Sequence, residues 1–492
     1  MRIALITPKN AAQSGRSFYD YEFYSSFLFS RRSLSYLLAI PTLISLTPPE
    51  HEIKVFDENI EDIDYSWKPD IVGISVRTMF ANRAYAIAAA YRKLGVPTVL
   101  GGIHASMCPE ETLEHCDSVV IGEAENIWPQ LLEDARDGLL KEKYTSEKKT
   151  DLKNCCPPSR KSLSRERYVS DVVQTSKGCP FHCEFCSVYA FDGQQMRSKS
   201  VDQVIQEITE INNSGSEYKK KSAVFFVDDN IIGNRKYARE LFTALKPHNI
   251  NWVCQASVNI AQDESLLELM HSSGCGAVFI GLESLEPENL DSMHKEVNQR
   301  VDYAQAIQTI QSHGILVHGS FIVGSDGDTP ETLQRTIDFI QKNNLLMPLI
   351  NILTPLPGTE LFKRLERDGR IHHKDWSRYD TRHVVFEPSG MKPQALFDGY
   401  RKIVQTVYSF DSIWKKLNHY WKIDFWKKAN EQDPVRLKYR LLFALRLCSL
   451  LFSTNTARSG FILKVLPRVF QRKVRISSIL TLMAYNDFAA QL

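Results

Sequence analysis

The sequence predicts an α/β chain: an N-terminal doubly wound, Rossmann-like domain, then a partial or full β/α barrel of the TIM type, then a mainly helical tail. Two observations predict this. Short apolar runs alternate with helical patterns over residues 1–138 and again over 172–388, the signature of parallel strands covered by helices. From residue 389 onward the strand signals stop and helical periodicity continues. A length of 492 residues holds two to four domains at about 100–200 residues each. With 23 Gly and 21 Pro, collagen-like and low-complexity chains are excluded.

The opening MRIALITP has too few apolar residues before Pro8 for a secretory signal and reads as a first strand, Ile3–Thr7, so the chain is expected in the cytoplasm. Further strands are expected at Ile53–Asp57, Ile71–Ser75, Thr98–Gly101 and Ser118–Ile121, with helices at Ala81–Leu94, Pro109–His115 and Ile127–Ala135. Doubly wound sheets bind ligands outside the carboxyl ends of their strands. Here those ends are the loops Thr7–Ser17, Ser75–Arg83, Gly101–Ser106 and Gly122–Asn126. Residues 139–171 turn charged around Cys155-Cys156-Pro157-Pro158 and read as a linker.

The second block gives strands at Val172–Thr175, Ala223–Val227, Trp252–Ala256, Ala277–Gly281, Val317–Val323 and Leu349–Thr354. Amphipathic helices alternate with them at Val201–Asn213, Arg235–Leu245, Glu264–Ser272, Tyr303–Ser312 and Glu331–Lys342. A barrel of this kind carries its site at the C-terminal ends of its strands.

The formal net charge of +2 hides an uneven distribution. Between Trp414 and Arg475 stand eight Lys and seven Arg against three acids, so the remainder of the chain is acidic. Only this tail invites an anionic partner. Its charges alternate with Trp414, Trp421, Phe425, Trp426 and the runs Leu441–Phe452 and Phe461–Arg475. That mixture suits peripheral contact with an anionic membrane, or helices packing on the acidic remainder. Nucleic acid is not expected, because no RNA-binding module is recognisable. Neither Leu34–Leu46, broken by Pro41, nor Leu441–Phe452, interrupted by Arg446, reaches the ~20 residues of a membrane span.

Ten cysteines in a chain of this length are no disulfide framework. Three of them, Cys179, Cys183 and Cys186, form a CxxxCxxC just past the first barrel strand. Three thiolates so close can converge on one metal centre. Soft thiolates suit an iron–sulfur cubane, in which three cysteines leave one iron open. A zinc site completed by His182 or Cys155, or a chance cluster of buried thiols, would use the same residues. Further along, Phe225-Phe226-Val227-Asp228-Asp229-Asn230 ends the second barrel strand with two acids, and Phe279-Ile280-Gly281-Leu282-Glu283-Ser284 ends the fourth with a glycine and a carboxylate. Gly319–Gly324 and Leu353–Thr359 bring small residues to the fifth and sixth, where a backbone can approach a ligand closely.

The cysteine segment resembles the cluster loop of the radical S-adenosylmethionine (radical SAM) superfamily, and the later strand-end motifs follow in that family's order. The resemblance implies a 4Fe-4S cluster on Cys179, Cys183 and Cys186. It implies S-adenosylmethionine beside Phe185, Asp228, Asp229, Asn230, Gly281, Glu283, Gly324 and Pro357. The N-terminal block, through Gly73–Thr78, Gly101–His104 and Val120–Glu125, resembles the cobalamin-binding domain of B12-dependent radical enzymes. That likeness implies corrin contacts at Ser75, Thr78, Gly101, Gly102, His104, Gly122 and Glu123. The DxHxxG motif of many such domains is missing from Pro8–Gly15. A domain that keeps the fold without the corrin is the alternative.

Together these resemblances, with a tail similar to that of hopanoid-type lipid methylases, imply a radical enzyme that methylates an unactivated carbon of a small molecule or lipid through cobalamin. The implied electron source is a low-potential donor such as flavodoxin or ferredoxin. The alternatives are radical oxidation, cyclisation or rearrangement without methyl transfer, and a zinc- or corrin-binding sensor without turnover. No catalytic side chain is assigned.

Overall fold

Strand formation begins where the first apolar run does. Ile3, Ala4, Leu5 and Ile6 of β1 (Arg2–Thr7) are all fully buried, as expected of a parallel strand covered on both faces. These positions come from a computed structural model that describes residues 1–9, 33–146, 148–213, 223–423, 456–470 and 476–492, with the single positions 425, 445 and 448. In the first sheet β1 is joined by β2 (Glu52–Asp57), β3 (Ile71–Ser75), β4 (Thr98–Gly101), β5 (Ser118–Ile121) and β6 (Lys143–Thr145). The order is β2-β1-β3-β4-β5-β6, every pair parallel. Strand order reverses between β1 and β3, which opens a crevice at their carboxyl ends.

The sixth strand corrects the reading of 139–171 as a linker. Lys143–Thr145 pairs with β5, and only Tyr144 of its three residues is buried, a pattern too short to be read as a strand. A helix at Ala39–Leu46, not assigned from the sequence, occupies part of the apolar run that Pro41 interrupts. Pro41 lies in the first turn, where an amide N–H has no helical partner to lose.

The second sheet contains β7 (Ser170–Val173), then, past the short antiparallel pair β8 (Ser176–Lys177) and β9 (Arg197–Ser198), β10 (Ala223–Phe226), β11 (Asn251–Gln255), β12 (Cys275–Glu283), β13 (Leu316–Val323) and β14 (Leu349–Ile352). Its order is β14-β13-β12-β11-β10-β7, again all parallel, and β14 and β7 are its two edges. The barrel is therefore the partial form. Each helical crossover adds the next strand on the same side, as right-handed connections do. The side chains between strands and helices form one large core that includes Trp252, Phe242, Leu266 and Ile337.

The tail folds back on this barrel. Ile413, Leu417, Tyr420 and Trp421 of the helix Phe410–Lys422 are buried, and Tyr420 donates to the Asn344 carbonyl at 3.0 Å. Lys416 is 2% exposed and donates to the Val407 carbonyl at 3.0 Å. This stretch accordingly packs as core, the second of the two readings that its mixed composition allows. Trp426 and, apart from Leu445 and Cys448, the run Leu441–Phe452 lie outside the described residues. Among the described residues no helix is long and apolar enough to cross a membrane.

Candidate active site

The cysteine loop leaves the barrel through the β8/β9 pair, whose register sets Ser176 against Ser198 and Lys177 against Arg197. Gly178 follows with φ +88°, and a Cβ there would meet the Gln195 carbonyl oxygen at 2.6 Å, so the turn admits only glycine. Cys186 N-caps the short helix Ser187–Asp192. Glu184 anchors the middle of the loop: its amide donates to the Met293 carbonyl, its carbonyl accepts from Leu361, and its carboxylate pairs with Arg364 at 2.5 Å.

Burial pushes all three thiols up, Cys183 to about 11. Cys183 feels the charges of both Cys186 and Cys179, so the three sulfurs share one electrostatic neighbourhood. The Lys295 ammonium works against burial at each of them. Among the described residues no three His, Cys, Asp or Glu side chains are gathered closely enough for one metal ion. A cubane asks for something different, one thiolate on each of three irons. Three half-buried or buried thiols beside a fixed cation fit that donor set, since cluster binding deprotonates them.

The two acids at the tip of β10 have separate jobs. Asp228 is fully buried and accepts four hydrogen bonds: from the Thr175 amide (3.0 Å) and hydroxyl (2.7 Å), and from the Ser176 amide (2.6 Å) and hydroxyl (2.6 Å). It moors the start of the cysteine loop and is not on the cavity wall. Asp229 does line the cavity, and its Oδ2 is buried with no hydrogen-bond partner. Burial, with help from Asp192 and Asp228, pushes its carboxyl up to about 7. An unpartnered carboxylate oxygen at a cavity wall is suited to a ligand ammonium group.

Glu283 ends β12 with φ +62°, beside a register shift between β12 and β13. Its carboxylate accepts from Lys295 at 2.9 Å. It also folds over Gly281, where a Cβ would land on its Oε1. Gly324 (φ +103°) abuts Leu396, where a Cβ would come within 2.7 Å, and its amide donates to Asp328. Neither Gly324 nor Pro357 lines the cavity.

In the N-terminal sheet, Ser75, Gly101, Gly102, Gly122 and Glu123 all reach the cavity from the carboxyl ends of β3, β4 and β5. Gly102 (φ +100°) lies against Val76, whose carbonyl oxygen would be 2.9 Å from a Cβ. Thr78 and His104 are not on the wall. His104 is fully buried, with Nε2 2.9 Å from the Tyr85 hydroxyl and its ring edge-on to Trp376. Of the loop after β1, residues 10–15 lie outside the described residues.

The strand ends of both sheets meet at one cavity of about 880 Å³. From the barrel side it takes Cys179, Phe185, Asp229, Asn230, Gly281 and Glu283. Cys183 and Cys186 stand off its wall. Sequence reasoning missed the cations that organise it: Lys295 beside the thiols, and Lys177 and Arg197 at the junction with Glu123 and Glu125. Lys177 stands two residues before Cys179, but no spacing rule pairs it with acids some fifty positions upstream.

Residues 173–340 match the family model described as the radical SAM superfamily, residues 46–132 that of the B12 binding domain, and residues 359–490 that of a domain of unknown function. Bacteriochlorophyllide d C-8(2)-methyltransferase of Chlorobaculum tepidum is 32% identical over 388 residues, 76% of this chain and 86% of that protein. Hopanoid C-2 methylase of Rhodopseudomonas palustris is 32% identical over 345 residues, 67% of this chain and 64% of that protein. Among solved structures, the cobalamin-dependent S-adenosylmethionine radical enzyme OxsB, with aqua-cobalamin and S-adenosylmethionine bound, superposes with a TM-score of 0.62 at 15% identity, over 100% of this chain and 80% of that one.

Proposed function

The chain belongs to the radical SAM superfamily, in the group whose members carry a B12-binding domain, and on that premise we propose that it methylates an unactivated carbon of an apolar small molecule. The observation that carries this reading is the shared cavity: the glycine-lined strand ends of the first sheet and the Cys179–Asp229 side of the barrel open into the same space. A methyl carrier on one wall and a radical source on the other would then face one substrate carbon. When bound there, the cluster with S-adenosylmethionine supplies a carbon-centred radical and cobalamin supplies the methyl group.

The chain's own residues have definite tasks in this reading. Cys179, Cys183 and Cys186 hold the cluster, and Asp228 fixes the loop that carries them. Asp229 takes the ammonium of the methionine moiety at its free oxygen. Gly101, Gly102 and Gly122 present backbone to the cavity against which a corrin can lie, and at Gly102 and Gly122 a side chain would strain the turn. Wall residues such as Phe225, Phe279 and Ile322 exclude water from the reacting space and suit an apolar substrate body. The two relatives named for a bacteriochlorophyllide and a hopanoid support that substrate class. A flavodoxin- or ferredoxin-like donor supplies the electron, and the basic tail gives a lipid-soluble substrate a surface from which to be drawn.

The test is anaerobic incubation of reconstituted protein with hydroxocobalamin, titanium citrate, methyl-labelled S-adenosylmethionine and a lipid extract. The expected result is 5′-deoxyadenosine, S-adenosylhomocysteine and a labelled lipid by mass spectrometry. Deoxyadenosine with neither of the other two would overturn methyl transfer in favour of oxidation, cyclisation or rearrangement.

A further inference from the structure

Beside the cysteine loop the chain maintains an arrangement that the fold alone does not require. Glu283 occupies left-handed backbone at φ +62°, a conformation that costs a non-glycine residue free energy. Position 281 is kept free of a side chain, since a Cβ would strike Glu283 Oε1. Both features serve one contact, the 2.9 Å ion pair from Glu283 to Lys295, whose side chains are 8% and 15% exposed. The Lys295 ammonium stands 6.0 Å from the centre of the Phe185 ring, between Cys183 and Cys186 in sequence, and shares the cavity wall with Cys179.

We propose that Lys295, aimed by Glu283, is the electrostatic positioning residue of the cysteine loop, stabilising the negative charge that a cluster on Cys179, Cys183 and Cys186 gains when it accepts an electron. This rests on the reading of those cysteines as cluster ligands. Geometry places the cation at the loop: the Lys295 side chain lies on the cavity wall with Cys179, its ammonium stands over the ring of Phe185, the neighbour of Cys186, and the 2.9 Å pair with Glu283 fixes it there. At a site shielded from water a fixed ammonium is weakly screened, and net local charge is one of the levers that set a cluster's reduction potential. The electron comes from a low-potential one-electron donor, and no bond forms or breaks at Lys295.

The test measures cluster midpoint potential by dithionite titration followed by electron paramagnetic resonance, at matched iron and sulfide content. Lys295→Met is expected to lower the potential, Lys295→Arg to leave it near that of the parent protein, and Glu283→Gln to raise it. An unmoved or raised potential in Lys295→Met overturns the inference while leaving the ligand assignment standing. If Lys295→Met takes up no cluster, Glu283→Gln decides, and absence of an upward shift overturns the inference. If the parent protein itself binds no iron and sulfide, the ligand assignment fails and this inference with it. A purely structural lysine would lower cluster content without moving the potential of the clusters that form.

Discussion

Arg197 grips Glu123 with both arms of its guanidinium: Nη1 donates to Oε2 at 2.9 Å and Nη2 to Oε1 at 2.6 Å. Glu123 follows β5 of the first sheet, and Arg197 lies in the short pair that carries the cysteine loop. Lys177, two residues before Cys179, adds a contact to Glu123 at 3.6 Å and one to Glu125 at 2.6 Å. A residue expected to touch a corrin is thus also the clasp between the two halves of the cavity.

Breaking this clasp has a signed pH dependence. Burial alone would raise the Glu123 carboxyl, but Arg197, Lys177 and the Thr150 amide hold it down at about 2, against an ordinary value of 4.5. Its contribution is therefore complete above pH 4.5 and lost as pH falls towards about 2. Glu123→Gln should cost about 3 kcal/mol near neutrality, as for a buried pair broken on one side. Thermal melts of the two proteins should converge across that acid window.

The adjacent acids of β10 should respond in opposite ways. Asp228→Ala removes the acceptor of four hydrogen bonds and should cost about 3 kcal/mol or more. It should also lower the iron bound after reconstitution, read by iron analysis together with chemical denaturation.

Asp229→Asn should stabilise the ligand-free protein instead. Its carboxyl is raised from 3.8 to about 7, so ionising it opposes folding increasingly as pH climbs through that interval. The variant should melt a few degrees above the parent at pH 8 and equal to it at acid pH. Equilibrium dialysis should find its affinity for S-adenosylmethionine at least tenfold weaker, the equivalent of about 1.4 kcal/mol.

Cys183→Ala removes a buried thiol from the triplet. Reconstituted with iron and sulfide under reductant, it should release no 5′-deoxyadenosine, where the parent protein does. Cofactor cleavage at the parent rate would mean that this cysteine is not a ligand.

Lys416 offers a test remote from the cavity. Burial lowers its ammonium from 10.5 to about 7, so the folded chain binds fewer protons than the unfolded chain between those values. Stability should rise with pH over that range. Lys416→Met should be more stable than the parent at pH 7, and the advantage should shrink towards pH 10 in urea titrations.

Much of the fold was legible in the sequence. Strands Ile71–Ser75, Thr98–Gly101 and Ser118–Ile121, and helices Val201–Asn213, Arg235–Leu245, Glu264–Ser272 and Tyr303–Ser312, agree residue for residue with the structure. The helices carry a 3.6-residue apolar period, and the strands are short apolar runs too brief for helices and bounded by turn residues. Lys143–Thr145 escapes because three residues carry no period, and Ala39–Leu46 is a short helix with Pro41 in its first turn that the sequence reading leaves unassigned. The strand-end motifs pointed to the cavity, yet Asp228, His104, Thr78, Gly324 and Pro357 turned out to stand off its wall. A motif tells which loop is near a ligand, whereas the direction of a side chain depends on what packs behind it.

By itself the sequence determined the order of elements, the parallel character of both sheets and the three closely spaced thiols, because periodicity and spacing are properties of neighbours along the chain. Tertiary structure alone decided which of two adjacent acids is left without a partner, that Lys295 pairs with Glu283 beside the cysteine loop, and that Glu123 is claimed by Arg197. Those outcomes depend on burial and on charges brought together from distant positions. Electrostatics acts through space, and no local pattern encodes the distances.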